Sequence, residues 1–216
     1  MNLEARLIKL KDRLGKIAPR DPRSAKDYRI RIKWERVRRI LQKRYDRDDY
    51  MNIFFLDKTP EGSAEMLCDK HVPKMLLESA QMLSTAVRKY EKETDTTPLA
   101  EPIYKSAYPN HPMTIWVSET LGNFNWALDN ALWINNEYQY RFKKEHKSFR
   151  VLDNIINFEL MAHIPDGDMT TPPQCMPDEY KLRSDLYVSA YRDYYKGEKE
   201  YFAKWEKGRS EPKWWN

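Results

Sequence analysis

Apolar positions recur at helical spacing over most of this chain. In residues 2–17, Leu3, Leu7, Leu10 and Leu14 fall three or four apart among lysines and arginines, which predicts a short amphipathic helix. The stretch Ala18-Pro-Arg-Asp-Pro-Arg23 breaks it, because proline cannot continue a helix. Residues 25–45 resume the pattern with Tyr28, Ile32, Val37 and Leu41, a second basic helix, and residues 46–50 read as a polar linker.

At Met51 the pattern changes. The run Asn52-Ile-Phe-Phe-Leu56 is apolar without helical period, and suits either a brief strand or an extended segment laid into a core. Thr59-Pro-Glu61 is a helix start: a capping hydroxyl, proline in the first turn, and an acid at the positive end of the helix dipole. Further helices are predicted over 70–90, 113–120, 124–144, 149–161 and 178–207. Residues 94–109 read as a loop. Residues 164–177, with Pro165, Pro172, Pro173 and Pro177, read as an irregular crossing segment. The expected fold is mainly α: a compact helical domain over 51–216 behind a basic helical N-terminal arm over 1–50.

Charge sharpens that division. Residues 1–50 hold 17 Lys and Arg against 8 Asp and Glu, a net +9; the remainder holds 21 against 25, a net −4. An arm so basic is an electrostatic footprint for polyanions, although a solvated helix face carries the same signature. Six glycines in 216 residues argue against Gly-rich phosphate loops and dinucleotide-binding turns, and no cofactor is expected. No apolar run approaches the roughly 18 residues of a membrane span, and no signal peptide opens the chain. Cys68 and Cys175 suit a reducing cytosol as small buried hydrophobes.

Candidate chemistry gathers in three places. On the helix predicted over 70–90, Val72, Leu76, Ser79, Leu83, Val87 and Tyr90 share the core face, while His71, Lys74, Glu78 and Gln81 share another stripe. His71 and Glu78 are seven residues apart, hence only about 20° apart around the axis. An imidazole, an ammonium and a carboxylate on one face suit acid–base work or the holding of a phosphate; a solvated stripe has the same pattern. Second, His111 lies between prolines in Tyr108-Pro-Asn-His-Pro112, as a rigidly held site residue or as a helix cap. Third, Glu137 and Arg141 stand four apart, followed by His146. The four histidines lack paired ligand spacing, so no metal is expected. The C-terminal stretch interleaves aromatics with bases, a pattern that serves either base stacking or a packed aromatic edge.

From Met51 the sequence resembles a phage-encoded family of amino acid:DNA transferases, which decorate modified thymine bases in phage DNA. The likeness lies in Met51-Asn-Ile-Phe-Phe-Leu-Asp57, Cys68-Asp-Lys-His-Val-Pro-Lys-Met75, Glu78-Ser-Ala-Gln-Met-Leu-Ser-Thr85, Asn110-His-Pro112 through Ile115-Trp-Val117, Glu137-Tyr-Gln-Tyr-Arg141, Met176-Pro-Asp-Glu-Tyr180 and Ala190-Tyr-Arg-Asp-Tyr-Tyr195. It covers about three quarters of the chain. A fainter likeness reaches the endonuclease V type pyrimidine-dimer DNA glycosylases, small helical enzymes that flip a base and cleave its glycosidic bond. Their catalytic glutamate follows a histidine by seven residues in an Asp-x-His segment, as Glu78 follows Asp69-Lys-His71 here. Those enzymes attack with the α-amine of their own N-terminus; here fifty residues precede Met51, and Leu77 and Gln81 stand where arginines are expected.

The resemblance implies an enzyme that modifies a thymine-derived base extruded from the stack. Glu78 would be general acid or base, with His71 and His111 positioning or shuttling protons. Lys74, Asn110, Trp116, Glu137, Arg141 and His146 would bind substrate. The implied partners are DNA and a small amino-acid or polyamine co-substrate, in the cytoplasm of an infected host cell. A repair glycosylase and a non-catalytic DNA-binding or virion-associated protein are the rival readings.

Overall fold

The computed structural model describes residues 51–91 and 103–215. The helices expected over 2–17 and 25–45, the basic arm they form and most of the 94–109 loop lie outside the described residues. By its internal contacts the chain separates into Met1–Tyr50 and Met51–Asn216, and only the second is described here.

Among the described residues this unit is mainly helical and contains no strand. Six α-helices follow one another: α1 (Pro60–Glu65), α2 (His71–Glu91), α3 (Pro112–Glu119), α4 (Leu121–Phe142), α5 (Phe149–Asn157) and α6 (Tyr187–Lys199). None is long and apolar enough to cross a membrane. Their starts follow local chemistry. The Thr59 hydroxyl accepts from Gly62 N–H at 3.1 Å, with proline next in line to open α1. Thr120 caps α4 in the same way through Asn123 N–H at 3.1 Å, which starts that helix three residues before its apolar period declares itself. α4 ends where Lys143 turns left-handed at φ 55°.

α2 is the central element and packs against α3, α4 and α5. Its expected core face is buried throughout: Val72, Leu76 and Leu83 are fully covered. The opposite side is covered too, at Met75, Ala80, Met82 and Ala86. A helix enclosed on nearly all sides cannot keep a solvated polar stripe, and this decides the fate of His71 and Glu78.

Residues 51–56 form no strand. They run extended and enclosed, with Ile53, Phe54, Phe55 and Leu56 all at 3% exposure or less. Burying each such side chain contributes about 1.5–3 kcal/mol. Phe55 stacks on Trp126 at 4.3 Å and meets Trp116 edge-on at 5.5 Å.

The helix expected over 178–207 is broken. Two 3₁₀ turns, Asp178–Tyr180 and Ser184–Leu186, precede α6, and the chain leaves the helix after Lys199. Gly197 explains part of this: a Cβ there would lie 2.3 Å from the Tyr180 hydroxyl, so the 178–180 turn rests directly on the helix backbone. Beyond α6 the tail folds back. Lys204 O accepts from Asp69 N–H at 2.8 Å, and Trp205 Nε1–H reaches Met66 O at 3.2 Å. The C-terminal aromatics are accordingly packing groups: Tyr191 and Tyr195 are fully buried, and Trp205 meets Trp215 at 4.8 Å. The helix expected over 149–161 stops at Asn157, where turns take over.

Candidate active site

α2 carries His71 in its first turn and Glu78 two turns on, and both are enclosed, at 2% and 4% exposure. Glu78 Oε2 accepts the backbone N–H of Asn52 at 3.1 Å, and its Oε1 lies 3.6 Å from Lys74 Nζ. Asn52 cannot drift, because its side chain is tied at both ends. Its Nδ2 donates to Cys175 O at 2.9 Å, and its Oδ1 accepts the Tyr191 hydroxyl at 3.2 Å. A polar residue inside an apolar run therefore fixes the position of the carboxylate.

His71 is held by rings. It stacks on Phe54 at 5.0 Å with planes 17° apart, and meets Tyr195 and Phe202 edge-on at 5.2 and 5.1 Å. Its Nδ1 lies 2.8 Å from the Tyr195 hydroxyl, which also accepts Cys68 N–H at 3.0 Å. Burial holds the Tyr195 phenol well above its usual range, so the hydroxyl keeps its proton. With one lone pair taken by Cys68, that proton is given to His71 Nδ1. His71 is then the tautomer with hydrogen on Nε2, a donor on its free side. Burial, then the ammonium groups of Lys74, Lys199 and Lys70, push its pKa well below the ordinary value, so the ring is neutral near pH 7.

Lys199 and Tyr194 extend the cluster. Lys199 is only 3% exposed; its Nζ donates to Tyr194 Oη at 3.3 Å and sits over that ring at 4.8 Å. Tyr194 in turn stacks on Phe54 at 6.1 Å. Neither residue stands out in sequence, because a tyrosine and a lysine five apart on a helix read as packing and solvation. The same holds for Asn52 and Tyr195. Only the contact of α6 and residues 51–56 with α2 makes them part of this cluster.

Other expected site residues go elsewhere. Arg141 has a fully covered side chain and donates to Leu67 O at 2.7 Å, Glu65 O at 2.8 Å, Asp69 Oδ1 at 3.1 Å and Glu137 Oε2 at 2.8 Å. Its donors are consumed inside the protein, so it clasps the 65–69 loop to α4 rather than facing a substrate anion. Glu137 is likewise buried between Arg141 and Arg209, whose Nε reaches Glu137 Oε2 at 3.1 Å. Trp116 is packed between Phe55 and Trp126, with Nε1–H on Thr170 O at 3.3 Å, and offers no face to a ligand. The fit of large rings into the core outweighs any surface role for these residues.

His111 caps α3: its Nδ1 accepts Met113 N–H at 3.2 Å, and burial lowers its pKa. Asn110 is exposed in the turn before it. His146 accepts Ser148 N–H at 3.1 Å, packs edge-on against Tyr138 at 4.8 Å and is also held below its usual pKa, first by burial. The α3 start is nevertheless linked to Glu78. The Met113 backbone N–H bonds the Cys175 thiol, which burial pushes up to about 11, and Cys175 O holds Asn52. Among the described residues, no group of three His, Cys, Asp or Glu side chains is placed to hold a metal ion.

No family model, curated protein or solved structure matches this chain.

The arrangement offers a carboxylate fixed by a backbone donor and paired with an ammonium, beside a neutral imidazole oriented as a donor. Such a set can move a proton at a substrate heteroatom or stabilise positive charge developing on a sugar. The nitrogen nearest Glu78 is the Asn52 amide, which has no nucleophilic lone pair. Attack by a backbone amine is thus not part of this site's repertoire as the chain stands.

Proposed function

We propose that the unit from Met51 is a DNA-modifying enzyme of the phage type, transferring a small amino-acid or polyamine group to a thymine-derived base. The observation that carries this reading is the enclosed Glu78 carboxylate, held by Asn52 N–H at 3.1 Å and two turns from a neutral, buried His71. A solvated stripe would leave both residues in water, where neither acquires a defined geometry. Glu78 acts as general base toward the incoming amine or as general acid toward the departing group. His71 supplies a hydrogen bond from Nε2. The amide at Asn52 favours transfer over the Schiff-base chemistry of the dimer glycosylases, since a Schiff base needs a free amine beside the carboxylate. The basic segment before Met51 supplies salt-sensitive affinity for duplex DNA.

The test is mass spectrometry of nucleosides from DNA made in cells with the wild-type protein, with Glu78→Gln, or with neither. A modified thymidine present with the wild type and absent with Glu78→Gln, at unchanged DNA affinity, supports the reading. Identical nucleoside profiles in all three would end it. Release of free base with abasic sites would replace it by glycosylase chemistry.

A further inference from the structure

The first turn of α2 gathers cations where acids are the usual choice. It contains no Asp or Glu, although the start of a 21-residue helix carries partial positive charge that a carboxylate ordinarily offsets. Lys70 and Lys74 flank His71 along the chain. Lys70 Nζ lies 4.3 Å above the Phe202 ring, which meets the His71 ring at 5.1 Å. Lys199 approaches from the other side, 5.9 Å from the centroid of the Phe54 ring on which His71 stacks. Two carboxylates stand close by. Glu78 faces Lys74 at 3.6 Å, while Asp69 is committed to Arg141 and to Glu206 N–H at 2.7 Å.

His71 adds a directed donor to this field. Its Nδ1 is satisfied by Tyr195, whereas its Nε2 bonds to no described residue. Two buried side-chain atoms lack a partner among the described residues, Thr114 Oγ1 and Asn135 Oδ1. Nε2 is not one of them, so the sliver of His71 left uncovered includes that nitrogen. A donor at the surface, ringed by three ammonium groups on aromatic supports, is matched by an acceptor carrying negative charge. Tyr201 provides a flat neighbour: it is 56% exposed and meets Phe202 at 4.9 Å.

We propose that His71, Lys70, Lys74 and Lys199 form a phosphate subsite that seats a nucleotide of the substrate strand, with the Tyr201 ring as a stacking platform for its base. The assignment of that nucleotide to DNA rests on the function proposed above; recognition of its phosphate does not. Phosphate held at the start of α2 would place the attached sugar and base within reach of Glu78, two turns along the same helix.

The full-length protein is titrated with thymidine 5′-monophosphate, thymidine and inorganic phosphate, following thermal stability and the ¹⁵N signals of the His71 ring. The monophosphate is expected to bind at least about tenfold more tightly than thymidine and to move the Nε2 signal, since the phosphate supplies charge-assisted bonds worth about 1.5–3 kcal/mol each. Lys70→Gln combined with Lys74→Gln should lose most of that preference, and Tyr201→Ala should weaken the monophosphate but not inorganic phosphate. Lys70 is exposed and Lys74 half-exposed, so folding is not at stake, and circular dichroism verifies it. Equal binding of thymidine and its monophosphate, or a double variant that binds as the wild type does, overturns the subsite. Binding that follows these expectations while cellular DNA carries no modified base keeps the subsite and rejects the enzymatic reading instead.

Discussion

Replacing Arg141 by Met separates a structural clasp from a ligand contact. The guanidinium is wholly covered and holds two backbone carbonyls, Leu67 O at 2.7 Å and Glu65 O at 2.8 Å, together with the Asp69 and Glu137 carboxylates. Methionine fills a similar volume and supplies no donor, so both carbonyls lose a partner in an enclosed setting. Breaking a buried ion pair from one side costs about 3–5 kcal/mol. Two contacts soften the loss: Arg209 still reaches Glu137, and Glu206 N–H still holds Asp69 Oδ2 at 2.7 Å. The expectation is therefore the lower end, about 3 kcal/mol. In urea, with a slope of about 2 kcal/mol per molar, the midpoint should fall by about 1.5 M with the slope unchanged. Arg141→Lys should recover only part, because one ammonium cannot span four oxygens in fork geometry. A variant within about 0.5 kcal/mol of the wild type that nevertheless loses DNA affinity would refute this reasoning and return Arg141 to the substrate side.

Two further outcomes follow from the same contacts. His71 has a depressed folded pKa, so below about pH 6.5 the unfolded chain binds a proton that the folded state refuses; stability should fall with falling pH by up to about 1.4 kcal/mol per unit, and urea midpoints from pH 7 to 5 should show a shallower slope in His71→Gln, with an unchanged slope counting against the buried neutral ring. At Gly122 a Cβ would lie 2.3 Å from Met169 N and 2.6 Å from the Asp168 carbonyl carbon, backbone that cannot swing aside; Gly122→Ala should lose about 1–3 kcal/mol and several degrees of Tm despite alanine's helix propensity, and a rise in Tm would show that the 167–169 segment yields.

Sequence by itself determined the mainly helical class, the start of α1 at Thr59 and Pro60, and the core face of α2, because caps, proline geometry and 3.6-residue periodicity act within a few residues. It also put His71 and Glu78 on one face of one helix. Whether that face met water or protein was a different matter. Residues 51–56, α6 and the folded-back tail, contributed from 20 to more than 120 positions away, supply Asn52, Phe54, Tyr195 and Lys199 around it. The same long-range packing drew Arg141, Glu137 and Trp116 inward, where hydrogen bonds and ring contacts consume them. Periodicity reports how a helix faces its own axis; only the neighbours that cover it decide whether a charged side chain becomes a surface ion pair, a buried clasp or a site.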